Sequence, residues 1–105
     1  MYKKLEEEKT VQYYSELLNN TLSIAERRLT KSQSPLWISI VNQLRDIKEK
    51  VIVKQIFSDW EDVYERYTLG IIAIREIPEN DEMQARLCDI FWGAVHYNEL
   101  SDNHQ

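Results

Sequence analysis

The chain has 105 residues, enough for one small core, with only 2 glycines and 2 prolines, where average usage of roughly 7% and 5% predicts several of each. All-β folds and tight βα loops consume both residue types, so this scarcity excludes most β-rich architectures and predicts a few long helices. A net charge of -5 disfavours nucleic acid and anionic membranes as partners, and the lone Cys88 excludes an internal disulfide.

The N-terminal run Met1-Tyr2-Lys3-Lys4-Leu5-Glu6-Glu7-Glu8 lacks the apolar segment of a signal peptide. No stretch approaches the roughly 20 apolar residues of a membrane span. The expectation is a cytoplasmic chain forming a single helical domain over 1–105, with ends that fray near 1–9 and 99–105.

The first helix is predicted from about Leu5 or Thr10 to Leu29. Val11, Tyr14, Leu17, Leu18, Leu22, Ala25 and Leu29 recur at steps of three or four along it. Ser34-Pro35 is the clearest punctuation: Ser34 caps a second helix, and Pro35 at its first position needs no N–H partner. Trp37, Ile40, Val41, Leu44, Ile47 and Val51 form the second stripe. The β-branched run around 51–57 has no strand partner nearby and reads as the end of that helix plus a connector.

Ser58 or Asp59 caps a predicted third helix with a stripe of Trp60, Val63, Tyr64, Tyr67, Ile71 and Ile74, ended by Pro78. Asn80 or Asp81 caps the fourth, whose buried stripe is Met83, Leu87, Ile90, Phe91, Ala94 and Tyr97. The prediction is therefore all-α: a four-helix, antiparallel up-down bundle. Gly70 and Gly93 fall inside helices, where each costs about 1 kcal/mol against alanine. Close helix packing is the favoured explanation, with contact to a partner as the alternative.

Catalytic chemistry is not evident. His96 and His104 have no Cys or His at metal-ligand spacing, and Cys88 beside the Leu87/Phe91 stripe reads as a small core residue. P-loop, dinucleotide-binding and nucleophile-elbow motifs are missing. No enzyme activity, cofactor or metal is expected.

Charge is distributed unevenly. Residues 1–57 carry 10 Lys/Arg against 7 Asp/Glu, whereas residues 58–105 carry 3 Arg against 11 Asp/Glu. In the stretch 59–67, Glu61, Asp62 and Glu65 alternate with Trp60, Tyr64 and Tyr67. A second acidic group, Glu76, Glu79, Asp81 and Glu82, lies at the turn between the third and fourth helices. Tyrosine and tryptophan anchor protein interfaces, and an acidic rim steers a basic partner. The plainer alternative makes the aromatics core and the acids a solvated helix surface, and Trp60 and Tyr67 fit it best.

Residues 67–77, Tyr67-Thr68-Leu69-Gly70-Ile71-Ile72-Ala73-Ile74-Arg75-Glu76-Ile77, resemble a segment of a known immunity family. It comprises small helical immunity proteins that neutralise type VI secretion effectors with NAD(P)+ glycohydrolase activity. Leu44-Arg45-Asp46-Ile47 and the pattern Tyr14, Leu17, Leu18, Arg28, Leu29 extend the resemblance to about 11–97. The basic N-terminus and the stretch around 56–65 are longer here.

The resemblance implies a non-catalytic protein that binds a cognate cytoplasmic toxin and blocks its active site. The expected partner surface is Glu61, Asp62, Tyr64, Glu65, Glu76, Glu79, Asp81 and Glu82. The expected partner is a protein toxin, with a homodimer of the chain left open; nucleic acid and membrane are not expected. A helical adaptor or regulatory subunit of a multiprotein complex is the alternative function.

Overall fold

The computed structural model describes residues 2–54 and 60–101, apart from the Trp60 side chain. The predicted caps Ser58 and Asp59, the core placement of Trp60, the connector residues Ile56 and Phe57, and the tail 102–105 lie outside the described residues. The described chain is helical, with no strand and one isolated parallel bridge between Thr10 and Ser101.

Helix α1 spans Val11–Ser32. The Thr10 side chain accepts from the Tyr13 N–H at 3.0 Å, so the helix starts where its stripe starts. It ends three residues beyond Leu29, on Gln33 in the left-handed region at φ 50°. Helix α2, Pro35–Ile47, begins at Ser34, as expected. The run beyond it, Lys48–Val53, is a π-helical turn that buries Val51 and leaves Val53 exposed.

The predicted third helix is two helices, α3 (Trp60–Arg66) and α4 (Leu69–Glu76). The four-helix up-down bundle is therefore corrected to a fold with five α-helices among the described residues. The cause is Gln43 of α2. Its side-chain oxygen accepts the Thr68 backbone N–H at 2.7 Å, and its nitrogen lies 2.9 Å from the Thr68 hydroxyl. That takes the Thr68 N–H out of the helical ladder, and Thr68 sits at φ -112°, ψ 12°. The break also changes which side is buried. Val63 and Tyr67 face the core before it, and Leu69, Ala73 and Ile77 after it, leaving Tyr64, Ile71 and Ile74 exposed.

Helix α5, Glu82–Val95, is capped by Asp81, whose carboxylate accepts from the Met83 N–H. It buries Met83, Leu87, Ile90, Gly93 and Ala94, while Phe91 is only half-buried. Tyr97 is buried just past the helix, in a 3-10 turn over Tyr97–Glu99. Helix α5 packs against α1, α3 and α4, and α1 packs against α2. Gly93 is what lets α1 approach. A Cβ there would stand 2.2 Å from the Tyr14 ring, and the Tyr14 hydroxyl donates to the Ile90 carbonyl at 2.7 Å.

Within the segments where fraying was expected, 1–9 and 99–105, two described leucines are buried. Leu5 is only 1% exposed and Leu100 only 8%. Burying a leucine contributes on the order of 1.5–3 kcal/mol, enough to hold an end down. Asp89 of α5 accepts from the Tyr2 hydroxyl at 2.6 Å and from the Leu5 N–H at 3.0 Å. Ser101 pairs with the Lys9 carbonyl and the Val11 N–H, each at 2.9 Å.

Candidate functional site

The eight expected surface residues fall into two groups at opposite ends of α4. Eight helical residues rise roughly 12 Å, so the groups are neighbours along one edge rather than a single cluster. Glu61, Asp62, Tyr64 and Glu65 are exposed on α3. Tyr64 is 59% exposed, and its ring meets Phe91 of α5 edge-on at 5.1 Å. Asp62 borders a small crevice with Lys50, Arg66 and Tyr67.

At the other end, Glu76 and Glu79 are exposed. Glu82 is exposed too but ion-paired, and Asp81 is half-buried and engaged within the molecule. Both Asp81 oxygens bind Arg28 of α1, at 2.8 and 3.1 Å, while the same carboxylate caps α5. The Arg28 guanidinium holds the Asp81 carboxyl below its ordinary value against the opposing effect of burial. Glu82 pairs with Arg86 at 2.8 Å.

Two further contacts fix the frame of this edge. Gln84 of α5 donates to the Ala73 and Ile77 carbonyls at 2.9 and 3.0 Å, satisfying the open end of α4. Asp46 of α2 accepts from the Tyr67 hydroxyl at 2.6 Å and from Lys50 at 3.1 Å. Burial raises the Asp46 pKa, but these bonds outweigh it and leave the group below its usual value. The Tyr67 phenol is pushed up by burial and by that bond, so it stays a neutral donor.

Between the two acidic groups lies an apolar groove of about 740 Å³ along α4 and α5. Ile71 (52% exposed), Ile74 (73%) and Trp92 (39%) line it, with Tyr64 as one wall and Phe91 and Gly70 in its lining. The sequence reading missed it by setting Ile71 and Ile74 in one stripe with Val63 and Tyr67, although it did place Tyr64 on the partner surface. A signal was present: residues 69–74 are apolar on every side, and a helix covered on one side only must expose part of such a surface.

Cys88 also lines the groove; burial pushes its thiol up, which makes it a poor nucleophile. His96 stacks on Trp92 at 4.3 Å and pairs with Glu99 at 2.6 Å. Among the described residues, no group of three or more His, Cys, Asp or Glu could hold a metal ion, and no helix is long and apolar enough to cross a membrane.

No curated protein and no solved structure gives a significant match to the chain. A family model does: the Tsi6 model matches residues 13–96, from the first turn of α1 to the end of α5. Proteins of that family are inhibitors rather than enzymes. The chain belongs to the Tsi6 family of type VI secretion immunity proteins.

Proposed function

We propose that this chain binds a cognate bacterial toxin in the cytoplasm and blocks its active site. The family match over 13–96 carries this reading. The physical arrangement supports it: α4 and its two flanking acidic groups are held at both ends by buried packing and by Gln43, Gln84 and the Arg28–Asp81 pair. A pre-ordered surface loses little conformational entropy on binding.

The toxin chemistry that suits such a surface is an enzyme of nucleotide substrates, an NAD(P)+ glycohydrolase being the specific reading. A pocket for a dinucleotide pyrophosphate is electropositive, and carboxylates presented by a rigid edge occupy it in place of substrate. Glu61, Asp62, Glu65, Glu76 and Glu79 supply that charge and Tyr64 an anchor. Asp81 acts at the same edge by fixing the turn through Arg28, and the exposed Glu82, paired with Arg86 within α5, adds to the charge.

Co-expression with the toxin encoded in the adjacent open reading frame tests the reading. Rescue of growth together with co-purification is the expected result; growth arrest despite co-expression overturns it. The acidic surface has its own test. Replacing Glu61, Glu65, Glu76 and Glu79 by glutamine should slow association with the toxin about tenfold or more and flatten its salt dependence. Unchanged association kinetics would remove these acids from the interface.

A further inference from the structure

We infer that the α4–α5 groove is an anchor site that receives an apolar side chain carried on a basic segment of the toxin. This inference rests on the immunity reading and adds which part of the surface supplies most of the binding energy and what chemistry it accepts.

Four of the six exposed large apolar side chains among the described residues, Tyr64, Ile71, Ile74 and Trp92, line this one groove; Ile38 and Val53 are the others. Apolar side chains left in water and gathered in one concavity mark an interaction site. The groove walls are also held in place. Phe91 is braced by Tyr64 and Trp92 by His96. Gly70 leaves space beside Phe91, since a Cβ there would reach its ring at 3.4 Å.

Charge selects the occupant. Glu99 is part of the lining, Glu61 lies one helical turn before Tyr64, and Glu65 follows it directly. Arg75, next to Ile74, and Lys9, whose ammonium lies 5.5 Å from the Trp92 ring centroid, are cations near it, and the sequence has no lysine after Lys54. A second copy of the chain docking through the same groove would bring these acids against each other. A Lys- or Arg-flanked apolar side chain matches both the cavity and its rim. Anchors of this kind sit in desolvated pockets and dominate affinity, with charged rims governing the encounter rate.

The experiment measures binding of the purified chain to the toxin domain encoded beside it, using wild type, Ile74→Glu, Ile71→Glu and the control Ile38→Glu. Residues 71 and 74 are exposed enough for the substitutions to leave the helical circular dichroism and melting temperature near wild type, which is checked in parallel. Both groove variants should weaken binding thirtyfold or more, mainly through faster dissociation, and the control should stay within threefold. Wild-type binding that survives both groove substitutions overturns the groove and leaves the immunity reading standing. No binding by the wild type overturns both. Sedimentation of the chain alone separates the remaining occupant: a wild-type dimer that Ile74→Glu converts to monomer, with toxin affinity unchanged, assigns the groove to a second copy and overturns the proposal.

Discussion

Gly93 and Asp81 are each matched to their positions, one by its lack of a side chain and the other by its charge. A methyl at Gly93 would lie 2.2 and 2.6 Å from two carbons of the Tyr14 ring and 3.1 Å from Leu5. Tyr14 is fully buried and tied to Ile90, so the ring has nowhere to move. Overpacking of this kind costs about 1–3 kcal/mol and exceeds the roughly 1 kcal/mol of helix propensity an alanine would return. Gly93→Ala should therefore lower stability in urea denaturation, whereas Gly70→Ala, with only ordinary contact to Phe91, should be neutral or stabilising. Asp81 carries a pH dependence. Its pKa is lowered in the folded state, so its contribution is present above the ordinary carboxylate value and is lost as pH falls through the folded value. Asp81→Asn should cost about 1 kcal/mol at neutral pH and leave a shallower loss of stability below about pH 4, read by thermal melts across pH 2–7.

At the scale of elements, the hinge between α3 and α4 depends on a residue 25 positions earlier in the chain. Gln43 bonds Thr68 through both ends of its amide. This explains what could be read in the sequence and what could not. Local signals were legible: Thr10, Ser34-Pro35 and Asp81 stand at helix starts because a cap acts within its own first turn. The break at Thr68 was hidden because its cause is tertiary, and the error carried Ile71 and Ile74 into the core. Leu5 was missed for a related reason, since one apolar residue between Lys4 and Glu6 makes no stripe. The surface acids were legible as a group, but that Asp81 faces Arg28 needed the α1–α5 packing. Gln84→Ala tests the other end of α4. It strands the Ala73 and Ile77 carbonyls, costing about 1–3 kcal/mol, and amide hydrogen exchange should quicken in α4 before α1.

Over the whole molecule, α5 is the element that α1, α3 and α4 share, and the N-terminal segment is strapped to it through Asp89, Tyr2 and Leu5. Leu5→Ala should cost about 2–5 kcal/mol, a value typical of core truncation, despite lying outside every α-helix; chemical denaturation reads it directly. The pairing of Thr10 with Ser101 closes the chain over some ninety residues. That geometry has a consequence for synthesis. A nascent chain that has emerged only to Val95 has no Tyr97 to set against Tyr14 and no Ser101 to receive the segment at Lys9. Contacts so distant in sequence form late, because the loop must close before they stabilise anything. The packing of Tyr14 and of the segment at Lys9 is therefore complete only after residues 97–101 have left the ribosome.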